Sequence, residues 1–185
     1  MKARKVKGLD ACGTLADNAQ RLAHVRLDEL CAFIPRALDP EAVEDLHAMR
    51  IAAKRLRYVL EATADPCFGK YAHVAARHTK ALQDVLGDIH DCDVQRPRVA
   101  RLAAELREQD AAELRRRADG ADDLAPELAA QLPNSAAWPG LAALDLHLRV
   151  RREVLHRRFV TLWTDLERDG FRARLEYALT ERPER

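Results

Sequence analysis

Apolar residues recur along most of the chain every three or four positions, with polar and charged residues between them. This spacing is typical of helices that bury one face, and no stretch alternates at every second residue as a half-buried strand does. Proline and glycine residues divide the pattern into segments. The sequence therefore predicts an all-α fold, a helical bundle. The predicted helices cover residues of about 14–34, 40–64, 68–87, 93–119, 141–169 and 171–179.

Two of the predicted helix starts depend on an aspartate. Asp39 followed by Pro40 is a strong start signal, because aspartate caps the first backbone N–H groups and proline fits the first turn. The polar segment 87–94, GDIHDCDV, is predicted to be a joint, with Asp93 capping the next helix. We expect one domain that comprises a basic tail at 1–13, a first bundle half at 14–118, a proline-containing linker at 119–140 and second-half helices at 141–180.

Opposite charges nearly balance, with 31 Lys+Arg against 30 Asp+Glu and a formal net charge of +1. Bulk attraction to an anionic polymer is therefore excluded, and any such binding must come from local charge asymmetry. The four scattered cysteines form no CxxC pair, which predicts reduced thiols. The sequence has no signal-peptide pattern and no apolar run near the roughly 20 residues that cross a bilayer. We therefore expect a cytoplasmic protein that makes no membrane contact.

Positive charge is concentrated on the predicted second helix, in the segment HAMRIAAKRLRY. At about 100° per residue, His47, Arg50, Lys54, Arg57 and Tyr58 share one arc of roughly 100°. The neighbouring arc is apolar and is predicted to face the core, so the cations border the core instead of lying opposite it. The apolar arc contains Leu46, Met49, Ala53, Leu56 and Leu60.

Cations grouped beside an apolar stripe need an offsetting negative charge, since their repulsion and partial desolvation are unfavourable. Two sources stay open on the sequence alone: carboxylates on other helices or an anionic ligand. Other predicted helices carry similar stripes, which favours a basic furrow shared by several helices and an extended polyanion as its ligand. Arginine suits phosphate oxygens, and histidine binds phosphate better when protonated. The further candidate contacts are His73, Arg77, Lys80, Arg21, His24, His147, Arg151 and Arg158.

The segments HAMRIAAKRLRY and KALQDVLGDIHDCDV resemble the CHAD family, the conserved histidine α-helical domain. The shared pattern is H-x-x-R-x-x-x-[KR]-R-L-R on one helix, followed by L-G-x-x-x-D-x-D-V. The resemblance covers about residues 14–118, and HLRVRREVLHRRFVTLW looks like a degenerate counterpart in the second half. It implies two four-helix bundles related by a pseudo-twofold axis, the second of them shortened in this chain.

The resemblance also implies a non-catalytic function, the binding of inorganic polyphosphate in a basic groove, and association with polyphosphate granules. It marks His47, Arg50, Lys54 and Arg57 as polyphosphate contacts, with Lys80 beside them. We expect no cofactor and no metal. A polyphosphate-metabolising enzyme is a candidate protein partner. An oligomer in which a second chain completes the shortened half stays open.

Three other functions stay open on the residues themselves. The string IHDCDV, with His90, Asp91 and the upstream His73 and His78, is compatible with a metal-dependent phosphohydrolase of the HD type. A groove for polyphosphate also fits a nucleic-acid backbone, but the sequence does not interleave aromatics with cations, so we do not expect nucleic acid as a partner. A structural helical adaptor would instead pair its cations with internal carboxylates.

Overall fold

The computed structural model describes residues 2–119 and 122–182, of which 78% are helical and none lie in a strand. The all-α prediction is therefore confirmed. Six α-helices and one 3-10 helix lie within the described residues. They are α1 (Leu15–Cys31), α2 (Ile34–Ala37), α3 (Val43–Cys67), α4 (Lys70–Arg117), the 3-10 helix Pro126–Gln131, α5 (Ala137–Arg168) and α6 (Phe171–Ala178).

The basic N-terminal tail is attached to α1 through its backbone. The Arg4 backbone N–H donates a hydrogen bond to Glu29, whose side chain is almost fully buried. Arg26 donates from the same helix to the Arg4 carbonyl oxygen at 3.1 Å and to Glu29 Oε2 at 2.6 Å. The guanidinium of Arg26 therefore compensates the buried carboxylate, and the tail covers this ion pair.

The start of α3 differs from the prediction. The Asp39 carboxylate accepts a hydrogen bond from the Glu41 backbone N–H at 2.9 Å, which closes a local turn, and the helix begins only at Val43. At its other end α3 continues through Pro66 instead of stopping before it. Proline removes only its own N–H from the last turn, and the Phe68 N–H still donates to a helical carbonyl at 3.1 Å.

The predicted joint at residues 87–94 is wrong, because α4 is one continuous helix of 48 residues. Gly87 keeps ordinary helical geometry; among the described residues only Gly8 and Gly170 have a positive φ. Asp93 is not a cap either, since its carboxylate pairs with the guanidinium of Arg152 on α5. Gly120, which was predicted to end this helix, lies outside the described residues.

Two compact units divide the chain, Met1–His90 with Glu153–Arg185, and Asp91–Arg152. In the first unit α1 and α2 pack against α3. Its core also takes side chains from α4, α5 and α6. The largest fully buried side chains, all in this unit, are Leu27, Leu30, Met49, Leu56, Leu60, Leu82, Leu86, Ile89, Phe159, Phe171, Leu175 and Leu179.

The second unit is a smaller helical hairpin that has its own ion pair and hydrogen bonds between its segments. Arg96 Nε lies 3.3 Å from Asp145 Oδ1, which joins the two helices. Asp110 is almost fully buried, and its Oδ1 accepts hydrogen bonds from the Asn134 backbone N–H at 3.1 Å and side-chain Nδ2 at 3.0 Å. The segment before α5 is thereby fixed to α4.

Gly170 separates α5 from α6 as the sequence predicts. Its φ of 70° lies in the left-handed region that favours glycine, so the chain turns here without strain. All four cysteines are free. No helix in residues 2–119 or 122–182 has the length and apolarity needed to cross a membrane.

Candidate functional site

The apolar arc predicted for the second helix faces the core of the first unit, as expected. Leu46, Met49 and Leu56 of α3 are all at most 2% exposed. The cations occupy the arc beside them, where Lys54 is exposed and His47 is half-buried. Helical periodicity therefore located both faces of this helix correctly.

α3 and α4 form an antiparallel hairpin that brings two predicted cationic stripes together. His47 Nδ1 lies 3.2 Å from His90 Nδ1 at one end of the hairpin. At the other end Asp65 Oδ1 lies 3.2 Å from His73 Nε2. Residues between these contacts must pair in the same antiparallel register, so the remaining α3 cations lie beside residues 80–87 of α4. We call this surface the α3–α4 basic face: His47, Arg50, Lys54 and Arg57 of α3 with His73, Arg77 and Lys80 of α4.

Three residues of the α3–α4 basic face have carboxylate partners within the protein. Lys80 Nζ lies 2.6 Å from Asp84 Oδ2, and His73 contacts Asp65 as described. Arg57 Nε lies 3.4 Å from Glu61 Oε1 without hydrogen-bond geometry, so this contact is electrostatic only. The carboxylates are about half exposed or more. The two i,i+4 pairs, Arg57 with Glu61 and Lys80 with Asp84, contribute only about 0.3–0.5 kcal/mol each. A stronger anion can therefore displace them.

Arg50 and Lys54 differ from these three. Neither makes an ion pair with a carboxylate of residues 2–119 or 122–182. Arg50 Nε is buried and has no hydrogen-bond partner, and a Cβ at Gly87 would lie 3.6 Å from this nitrogen. A buried, unpartnered donor on a charged group costs on the order of 1–3 kcal/mol or more. The site thus holds positive charge that the described chain does not neutralise.

Tyr58 contacts the cations on either side of it. Lys54 Nζ lies 5.6 Å and Arg57 Cζ 4.9 Å from the centroid of its ring, which is cation–π geometry. Tyr58 shares their arc in the sequence and is 50% exposed, so it borders the basic face and is not a core residue.

A cavity of about 240 Å³ opens between α3 and α4 beside these residues. Arg77 and Lys80 contribute positive charge to its wall, and Glu61 contributes the carboxylate that approaches Arg57. Its remaining walls are mostly apolar. The lining residues are Leu60, Glu61, Ala64, His73, Ala76, Arg77 and Lys80.

His90 is the partner that sequence reasoning did not assign to the anion site. Its ring centroid lies 4.5 Å from that of His47. Burial, the nearby His90 and then Arg50 hold the pKa of His47 below its usual value. His47 is therefore neutral near pH 7 unless an anion favours its protonated form. The signal for His90 was its position in the L-G-x-x-x-D-x-D-V segment, but the pairing needs the hairpin register.

The other predicted contacts lie on different elements. Arg21 is exposed and His24 half-buried on α1, and Arg158 is exposed on α5; all three belong to the first unit. His147 and Arg151 belong to the second unit, where His147 is exposed and Arg151 Nη1 lies 3.5 Å from Cys92 Sγ. These five stay predicted contacts outside the α3–α4 basic face.

The IHDCDV string is compatible with a metal site. The described residues contain no group of three or more His, Cys, Asp or Glu side chains placed to hold a metal ion. The string itself lies on the continuous helix α4, where Asp91 is exposed and Cys92 is buried.

Comparison with known proteins gives one family. The sequence profile of the CHAD domain matches residues 4–100, which is slightly more than half of the chain and includes α1, α2, α3 and the first part of α4. No curated protein and no solved structure matches the chain. The matched residues contain the whole α3–α4 basic face.

Proposed function

The chain belongs to the CHAD domain family, and on this basis we propose that it binds inorganic polyphosphate along the α3–α4 basic face without chemically changing it. The family is linked to the binding of polyphosphate and triphosphate, and its profile covers every residue of this face. The family match is also consistent with a binding module in place of an enzyme.

The observation that carries the proposal is the unneutralised charge of Arg50 and Lys54. A structural adaptor would pair these cations with its own carboxylates, and no such pair is present in the described chain. The buried Nε of Arg50 has a hydrogen to donate and no acceptor. A phosphate oxygen supplies both the negative charge and the acceptor, and arginine prefers this kind of partner.

The paired cations extend the site by exchanging partners. The carboxylates that contact Arg57 and Lys80 are about half exposed and bind them weakly, so successive phosphates compete for these cations. Once one phosphate of a flexible chain is bound, the neighbouring phosphates are present at a high effective concentration near the next cation. Long polyphosphates should therefore bind more tightly than short ones, up to the length of the face.

The histidines adjust the strength of binding. An anion near His47 favours its protonated form, which the neighbouring His90 and Arg50 disfavour in the free protein. Binding is therefore coupled to proton uptake. Cations on other elements, Arg21 and His24 among them, are proposed as further contacts for longer chains.

Titration calorimetry with polyphosphates of defined length, at low and high salt, tests the proposal. Arg50→Ala combined with Lys54→Ala should abolish most binding and leave helicity unchanged. Arg36→Ala combined with Arg168→Ala is a matched control, because it removes the same charge from exposed arginines that have their own carboxylates. Equal affinity in the two double variants would refute the site. Lack of binding by the unmodified protein would refute the function.

Association with polyphosphate granules and with a polyphosphate-metabolising enzyme are proposals that follow from the same binding. A fluorescent fusion tests the first, since it should concentrate on granules and become diffuse when Arg50 and Lys54 are replaced. Co-purification tests the association with the enzyme. An enzyme held through the polymer should co-purify when polyphosphate is present and be lost when the polyphosphate is digested.

A further inference from the structure

A larger cleft, of about 950 Å³, lies in the first unit where α4 begins and α6 passes it. We call it the Tyr71 cleft; its main walls are Phe68, Lys70, Tyr71, Arg174, Tyr177 and Arg182. Its volume is within the range of cavities that hold drug-sized or cofactor-sized molecules. It contains phenylalanine and tyrosine rings, which the α3–α4 cavity does not.

Aromatic and guanidinium planes give this cleft a stacking surface. Arg174 Cζ lies 4.4 Å from the centroid of the Tyr71 ring, so the guanidinium already stacks on one aromatic face. Tyr177, one turn further along α6, is 68% exposed. Tyrosine rings and arginine planes are the surfaces on which proteins stack nucleobases. A chain of phosphates alone would use the guanidinium charge but not the aromatic rings.

The Tyr71 cleft adjoins the α3–α4 cavity, because His73 lines both. A ligand in the cleft can therefore extend past His73 toward Arg77 and Lys80. The cleft also contains the carboxylates of Asp65 and Glu181, which repel phosphate groups. A molecule with an aromatic base and phosphates would place its base on the tyrosine side of the cleft and its phosphates toward Arg77 and Lys80, past the contact of Asp65 with His73.

Glu181 lies beside Gly69 in the cleft. A Cβ at Gly69 would lie 1.9 Å from Glu181 Oε2, so the carboxylate rests directly against the backbone just before α4. Its oxygens can accept hydrogen bonds, which the exocyclic amino group of adenine, cytosine or guanine donates. The cleft thus offers a stacking surface together with an acceptor for the edge of a base.

We propose that the Tyr71 cleft binds the base of a nucleoside triphosphate whose phosphates extend past His73 into the α3–α4 cavity. This inference rests on the proposed function in one respect, namely that this cavity accepts phosphate groups. It adds a second ligand class, which the base distinguishes from inorganic polyphosphate.

Comparing ATP with inorganic tripolyphosphate isolates the contribution of the nucleoside, because both carry three phosphates, and the Tyr177 variants then test the base. In magnesium-free buffer ATP should bind about tenfold more tightly, although its charge is smaller, since one stacked base contributes on the order of a factor of ten. Tyr177→Ala should remove this advantage and leave tripolyphosphate binding unchanged. Tyr177→Phe is the matched control and should retain the advantage, because it keeps the ring.

The outcomes separate the two proposals. If long polyphosphate binds but ATP binds no better than tripolyphosphate, or Tyr177→Ala weakens both ligands equally, the nucleotide inference is wrong and the proposed function stands. If ATP binds with the expected dependence on Tyr177 while long polyphosphate does not bind, the nucleotide site stands and the proposed function is wrong.

Discussion

Removing two carboxylates should make the protein bind polyphosphate more tightly. Glu61 approaches Arg57, and Asp84 pairs with Lys80, so each lowers the charge available to a ligand. The double substitution Glu61→Gln and Asp84→Asn frees both cations and keeps side chains of nearly the same shape. A gain of affinity is a stringent test, because partial unfolding would produce only a loss.

The size of the gain follows from the exposure of the two pairs. In the unmodified protein, ligand binding must break each i,i+4 pair, which costs about 0.3–0.5 kcal/mol. The variant lacks both pairs, so binding to it does not include this cost. Each removed carboxylate also repelled a phosphate; at about 6 Å in water the repulsion is about 0.7 kcal/mol, and screening at physiological salt leaves roughly half of it. Together these effects amount to about 1.4 kcal/mol, which is about tenfold in affinity.

Fluorescence anisotropy with labelled polyphosphate at low and at high salt measures this gain. The tenfold effect should shrink to a few-fold at high salt, because both contributions are screened. Glu105→Gln with Asp165→Asn is the matched control, since it frees two arginines on other surfaces and changes the net charge equally. An equal gain in the control would show that net charge alone acts. No gain in the test variant would refute the role assigned to Arg57 and Lys80.

Two further predictions concern pH and stability. Lowering the pH from about 8 to about 6 should strengthen polyphosphate binding in calorimetry, because burial, His90 and Arg50 lower the pKa of His47 and a bound anion favours its protonated form; His47→Gln should flatten this dependence. In the free protein the lowered pKa means that folding favours neutral His47. This contribution to stability is present above a pH of about 6.5 and is lost as the pH falls through the pKa of His47 in the folded state. The fall in Tm at acid pH should therefore be smaller in His47→Gln. Asp110→Ala should reduce the free energy of unfolding by about 1–3 kcal/mol, because the Asn134 N–H loses its acceptor, whereas Asp110→Asn should lose less in thermal denaturation.

The sequence predicted the helical class and the orientation of α3 because both depend on local periodicity. Leu56 is buried and Lys54 exposed as their positions in the pattern require. The helix ends were less accurate. Aspartate is a common helix cap, but the carboxylate of Asp93 pairs with Arg152, which lies 59 positions away. Periodicity cannot reveal such a partner, and α4 was therefore divided in error.

The ion pairing of the candidate site was only partly accessible to sequence reasoning. Arg57 and Glu61 are four residues apart, so their contact was visible in the spacing. The approach of His47 to His90 depends on how α3 and α4 align, and nothing within either helix specifies that register. Whether a cation is neutralised is decided by such cross-helix neighbours. The unpaired state of Arg50 could therefore be stated only from the structure.

The attachment of the N-terminal tail has a consequence for how this chain can vary. The groups that hold position 4 are its backbone N–H, which donates to Glu29, and its carbonyl oxygen, which accepts from Arg26. Every amino acid carries both groups except proline, which lacks the N–H. Evolution can therefore exchange the side chain at this position widely and leave the anchorage intact, while replacement of Glu29 would remove the acceptor of the Arg4 N–H and leave Arg26 without its carboxylate.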